Sequence, residues 1–267
     1  EFNAYANNIE EEILNLNRNI KLLHEINMGG TAIGTGLNAV PGFAKLCTEN
    51  LAKLTGEPFI LAPDLVEATP DTGAYVSYSS ALKRLALKIS KMCNDFRLLA
   101  SGPRCGLNEI NLPPKAPGSS IMPGKVNPVI PEVTNQVCFK VIGNDTTISF
   151  AAEAGQLQLN VMEPVITESL IESLTWLSNA IDTLTEECIK GITVNVDRCM
   201  DMVKNSIGIV TALNPYIGYK NSTKVAKEAL ETNRSVYDIV IEKGLMTKEK
   251  LDEALDPNKM LTSHDLI

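Results

Sequence analysis

Residues 118 to 132 read Gly118-Ser119-Ser120-Ile121-Met122-Pro123-Gly124-Lys125-Val126-Asn127-Pro128-Val129-Ile130-Pro131-Glu132. The glycines and prolines at 118, 123, 124, 128 and 131 forbid continuous helix through the stretch. Long apolar-periodic segments flank it, and a loop on such rigid supports is where binding chemistry concentrates. Its side chains suit an anion. Lys125 supplies a point charge, and Ser119, Ser120 and Asn127 supply hydroxyl and amide donors. Backbone N–H groups beside glycines can form a nest for negative charge. The next helix is expected to begin near Pro131, with its N-terminal dipole adding attraction. A phosphate loop of the G-x-x-x-x-G-K-[ST] type does not fit. Five residues separate Gly118 from Gly124, Val126 stands where the metal-binding hydroxyl belongs, and no strand pattern precedes. A small carboxylate fits better than a nucleotide. From residue types alone, an ordinary helix–helix connection with capping serines is equally open.

Outward from the loop, helical periodicity dominates. Phe2, Ala6, Ile9, Ile13, Leu16, Ile20 and Leu23 alternate spacings of four and three. So do Leu82, Leu85, Ile89, Met92, Phe96 and Leu99, and again Ile166, Leu170, Ser173, Leu177, Ala180 and Leu184. Such stripes pack long helices side by side, so each is read as core. Period-two strands are lacking, and the fold class is all-α, a long-helix bundle. From about Glu132 to Ala154 the pattern looks helical, yet Asn135, Gln136, Lys140, Asn144, Asp145, Thr146 and Glu153 are scattered around it. Polar groups on several faces need partners, which neighbouring subunits or an active site could supply, and a solvated face is the plain alternative. Past about Gly191 the helices shorten, broken by Asn214-Pro215, Gly218 and Gly244, and charges multiply. Residues 1–190 are read as a helical-bundle domain carrying the loop, and 191–267 as a small helical domain, with 255–267 irregular.

Composition excludes several classes. The net charge of −8 leaves no broad basic footprint for nucleic acid. No run of eighteen apolar residues offers a membrane span. Six cysteines, at 47, 93, 105, 138, 188 and 199, form no C-x-x-C pair and mostly lie in apolar stretches, which favours a reducing cytoplasm. His24 and His264 are isolated, which argues against zinc. Gly34-Thr35-Gly36-Leu37-Asn38-Ala39 superficially matches a dinucleotide fingerprint, but an amphipathic helix precedes it instead of a strand.

The fifteen-residue loop as a whole is similar to the signature loop of the aspartase/fumarase superfamily, G-S-S-x-M-P-x-K-x-N-x-x-x-x-E, at every fixed position. The run from Pro131 to Val165 resembles the aspartase branch more than the fumarase branch. The resemblance extends from Glu1-Phe2-Asn3-Ala4-Tyr5 through Gly30 to Asn38 and Gly102-Pro103-Arg104 into a C-terminal segment like the family's small third domain. It implies an all-helical homotetramer that converts L-aspartate reversibly to fumarate and ammonia. It implies Ser119 as catalytic base, Ser120, Lys125 and Asn127 at the substrate carboxylate, and Glu132 as a supporting carboxylate. It also makes the Gly30–Asn38 stretch a turn near the substrate pocket, with either Thr35 and Asn38 as supporting donors or a purely structural role. No cofactor and no metal are implied. Two upstream family motifs, S-S-N-D-x-x-P-T and G-R-T-H/Q-x-Q-D-A, do not occur, and the first residue is Glu1. The chain is therefore expected to be a C-terminal portion, inactive alone. Fumarase, another fumarate-releasing lyase, and a non-catalytic helical assembly fragment are the alternatives.

Overall fold

The computed structural model describes residues 1–256; the remainder of the segment expected to be irregular, and His264, lie outside the described residues. The chain divides into two compact units, Glu1–Thr193 and a second beginning at Val194.

The first unit is built on α1 (Phe2–Asn19), α2 (Phe43–Thr55), α3 (Leu65–Ala68), α4 (Gly73–Leu99), α5 (Val129–Glu153) and α6 (Glu163–Glu187). At 1.5 Å per residue, α4, α5 and α6 each run roughly 40 Å. They can be this long because apolar residues recur along one stripe without an internal proline in α4, and because the prolines of α5 and α6 fall in their first turns, where no N–H is needed. The α4 stripe (Leu82, Leu85, Ile89, Met92, Phe96) and the α6 stripe (Ile166, Leu170, Leu177, Leu184) close on Cys138, Val141 and Ile148 of α5. No helix among the described residues is long and apolar enough to cross a membrane.

Helix α5 lies between α4 and α6, which accounts for its polar residues. Asn135, Asn144 and Asp145 are buried, and this chain supplies hydrogen-bond partners to each. Asn135 Nδ2 donates to the Ser90 carbonyl at 3.0 Å and to Ser90 Oγ at 2.8 Å. Asp145 accepts from Ser79 and Ser80 at 2.9 and 3.2 Å and pairs with Lys83 at 2.5 Å. Asn144 Nδ2 donates to Glu172 at 2.8 Å and Ser173 Oγ at 3.0 Å on α6. A helix flanked on two sides buries more than one face, so the single-stripe rule does not apply to it.

The α1 stripe departs from the core reading. Ile9 and Leu16 pack on the main core, but Ile13 is 53 % exposed, and Phe2, Ala6 and Ile20 are exposed beside it. Among the long helices, α1 packs chiefly on α4, so one of its two apolar rows is less covered than the other. What anchors it is polar. Glu12, fully buried, pairs with Arg84 at 2.9 Å and Lys88 at 2.5 Å.

After α1 a 3₁₀ turn (Ile20–His24) leads to a strand of two residues, β1 (Glu25–Ile26), parallel to β2 (Ile60–Leu61). A strand thus does precede the glycine turn, contrary to the sequence reading. The dinucleotide arrangement still fails, because α2 begins only at Phe43. Gly34 sits at φ 84° against α3, where an added Cβ would lie 2.3 Å from the Leu65 carbonyl oxygen, so this turn is a packing device. Thr35 and Asn38 are exposed within it. His24 pairs with Glu57 at 3.2 Å.

The second unit contains α7 (Val196–Asn205), α8 (Asn214–Ile217), α9 (Tyr219–Thr232), α10 (Val236–Glu242) and α11 (Lys248–Ala254). Its own core comprises Leu213, Ile217, Val225, Ala229, Val236, Ile239, Val240 and Leu251. Ser235 and Thr247 cap α10 and α11 through their hydroxyl oxygens.

Glu12 is buried, but its partners Arg84 and Lys88 reach solvent and Lys88 keeps Glu11, so its loss strands no buried charge. Glu12→Ala should therefore lower the stability of the first unit by about 2 kcal/mol, the worth of hydrogen bonds to a charged group, in urea titration, and Glu12→Gln by less. A loss under about 1 kcal/mol would show that the carboxylate is in fact solvated.

Candidate active site

The loop 118–132 is tied at its base. Pro117 and Val126 form an antiparallel bridge, and the Gly118 N–H donates to the Lys125 carbonyl at 2.6 Å. Asn127 Nδ2 donates to the Gly118 carbonyl at 3.1 Å. The strands of the loop approach so closely here that a Cβ on Gly118 would lie 2.9 Å from the Lys125 carbonyl oxygen, so only glycine fits. Just upstream, Lys115 pairs with Glu187 of α6, which fastens the loop to the bundle.

Within this frame Ser119 Oγ accepts two backbone hydrogen bonds, from Ile121 N–H and Met122 N–H, both at 3.1 Å. Donors aimed at a hydroxyl oxygen favour its charged form. Gly124 turns the chain at φ 76°, and Lys125 follows, exposed and without an ion-pair partner among the described residues. Ser120 is exposed, and Asn127 and Glu132 are half-buried. The structure thus brings Ser119, Ser120, Lys125 and Asn127 onto one closed loop and sets Glu132 in the first turn of α5. One amide hydrogen of Asn127 is spent inside the loop, which leaves its second for a ligand.

Helix α5 begins at Val129, two residues before the expected proline. Its end offers few donors. Val129 N–H goes to the Asn127 carbonyl at 2.9 Å, Pro131 has none, and Glu132 N–H closes the first turn onto Pro128 at 3.1 Å. The two N–H groups that converge on Ser119 lie in the loop itself. Sequence reasoning anticipated a nest but did not identify Ile121 and Met122, because apolar side chains carry no sign that their backbone N–H groups are in use.

The cysteines form no part of this constellation. Burial pushes the Cys93 thiol up to about 12, and those of Cys138 and Cys188 up to about 11, so these three remain protonated, apolar fillers of the bundle.

A family described as "Lyase" matches residues 1–143, and one described as "Fumarase C C-terminus" matches residues 209–262. The chain is 57 % identical over 264 residues to aspartate ammonia-lyase of Helicobacter pylori, covering 99 % of this chain and 56 % of that protein. It is 58 % identical over 262 residues to aspartate ammonia-lyase of Pseudomonas aeruginosa, covering 98 % and 55 %. The solved structure of a fumarate lyase:delta crystallin from Brucella melitensis superposes with a TM-score of 0.94 at 47 % identity, over 98 % of this chain and 57 % of that one. The chain spans about half the length of the curated relatives it matches.

A neutral hydrogen bond contributes about 1 kcal/mol, or roughly fivefold in an opening equilibrium. Asn127→Ala should accordingly speed tryptic cleavage after Lys125 by about that factor while leaving the melting temperature of the bundle unchanged. An unaltered cleavage rate would mean that Asn127 does not hold the loop.

Proposed function

Because this chain belongs to the lyase family that matches its residues 1–143, we propose that its loop 118–132 forms one wall of a site that deaminates L-aspartate reversibly to fumarate and ammonia. The observation that carries the reading is the pair of N–H donors on Ser119 Oγ, six residues before an unpaired lysine. The similarity to two aspartate ammonia-lyases supports the substrate, and exceeds the 33 % identity to a class II fumarase from Schistosoma mansoni.

The proton on Cβ of aspartate is weakly acidic, so a base alone is insufficient. In the proposed mechanism Ser119, as alkoxide, takes that proton, and the electron pair moves into the adjacent carboxylate to give an aci-carboxylate. Ile121 and Met122 N–H groups hold the alkoxide before the transfer. Lys125, Asn127 and Ser120 donate to the carboxylate as its charge grows, where pre-oriented donors are each worth about 3 kcal/mol. Collapse of the aci-carboxylate forms the carbon–carbon double bond as the carbon–nitrogen bond breaks and ammonia leaves. Glu132 orients a group from outside this chain. Amino-group recognition likewise lies outside residues 1–267, so the chain alone should yield no fumarate from aspartate.

The reading extends to assembly and setting. Phe139, Phe150, Ile171 and Trp176 expose 45–71 % of their surface along α5 and α6, an apolar face that suits a homotetramer packed through its long helices. Six free cysteines suit a reducing cytoplasm.

Offering the whole protein aspartate, malate, argininosuccinate and adenylosuccinate, and following fumarate absorbance, tests the substrate. Aspartate should be the one consumed, and turnover of malate instead would make the protein a hydratase. Ser119→Ala should lower the aspartate rate by about three orders of magnitude with the helical signal and assembly intact. A mild effect there beside a severe one in Ser120→Ala would reverse the two roles. Sedimentation equilibrium should find a multimer, and a monomer at micromolar concentration would contradict the assembly.

A further inference from the structure

The segment 110–117, which leads into the 118–132 loop, lies along the chain that leaves α6 and meets it at alternate residues in antiparallel order. Asn111 Nδ2 donates to Thr193 Oγ1 at 3.0 Å, Pro113 packs on Gly191, and Lys115 pairs with Glu187. Leu112, Ile189 and Ile192 all pack on the main core. The tightest approach is at Gly191, where an added Cβ would lie 2.4 Å from Pro113 Cγ and 3.4 Å from Pro113 Cβ. Gly191 is not among the residues with positive φ, so its own backbone does not require glycine. Its missing side chain serves the approach of Pro113. The turn under the proline is fixed. Gly191 N–H donates to the Cys188 carbonyl at 3.1 Å, Ile192 N–H donates to the Ile189 carbonyl at 3.2 Å, and Cys188 is buried. A displacement would therefore fall on the proline side, and that side is stiff. Pro113, Pro114 and Pro117 fix their own φ and disfavour the helical region at Leu112, Pro113 and Ala116. We propose that Gly191 is a positioning residue for the site: by admitting Pro113 it sets where the base of the loop stands, and with it Ser119 and Lys125. The expected effect on rate rests on the reaction proposed above, whereas the effect on the loop rests on these contacts alone.

A Cβ at position 191 must drive the Pro113 ring back by about 1 Å to reach an ordinary carbon–carbon separation. Gly191→Ala should accordingly speed tryptic cleavage after Lys125 in this chain severalfold. In the whole protein it should lower kcat for aspartate about tenfold or more, with a smaller change in KM, since a misplacement of about 1 Å at reacting groups can cost on the order of a hundredfold. The helical signal should stay as it is, whereas loss of folded protein alone would lower kcat and that signal together. Pro113→Ala removes the ring and keeps only its Cβ, at the tolerable 3.4 Å. Combining it with Gly191→Ala should therefore return both readouts to those of Pro113→Ala alone. Cleavage in Gly191→Ala equal to that of the unaltered chain overturns the proposal, and so does a double variant no better than Gly191→Ala. Faster cleavage beside an unchanged kcat, in a whole protein that does deaminate aspartate, overturns it too. Cleavage that rises and reverts as stated, in a whole protein that never yields fumarate from aspartate, leaves the placement of the loop by Gly191 standing and contradicts the assigned reaction.

Discussion

Everything in the first unit depends on α5 being held from both sides by buried polar contacts. Asn135 is fixed to Ser90, Asp145 to Ser79, Ser80 and Lys83, and Asn144 to the α6 residues Glu172 and Ser173. Apolar packing alone tolerates sliding of one long helix along another, since each turn presents a similar stripe. A buried carboxylate or carboxamide does not, because moving it by one turn strands it without partners at a cost of about 1–3 kcal/mol or more per group. The register of α5 against α4 and α6 is therefore specified by its polar residues. The loop that feeds into α5 inherits that register.

The placement of the loop follows from this. Its C-terminal end is the first turn of α5, and its N-terminal side is fastened to α6 through Lys115 and Glu187. Between those anchors the Pro117–Val126 bridge and the Asn127–Gly118 bond close it into a compact ring. Two of its N–H groups converge on one hydroxyl. Under the proposed function, a serine oxygen so held is a preorganised seat for negative charge. Lys125, on the same ring and unpaired, is positioned for an anion from solution.

Much of this was legible in the residues. The stripes of α4 and α6 are buried where the four–three spacing put them, and the all-helical class followed from them. The loop stood out through its glycines and prolines, and its serines, lysine and asparagine do share one ring. What was not legible depended on three-dimensional neighbours. The α1 stripe has the same spacing as the others, yet half of it is bare, because periodicity records that a face is apolar and not what covers it. The polar residues of α5 looked like requests for another subunit, because sequence order hides that Ser79, Ser90 and Ser173 lie across from them. The roles of Ile121 and Met122 were invisible because they belong to the backbone.

The most direct test of the account is a crystal structure of the whole protein with fumarate bound. One carboxylate should lie against Ser120, Lys125 and Asn127, with Ser119 Oγ facing the carbon that bears the exchanged proton and still accepting from Ile121 and Met122. Fumarate bound away from the 118–132 ring, or Ser119 turned from the substrate, would contradict it.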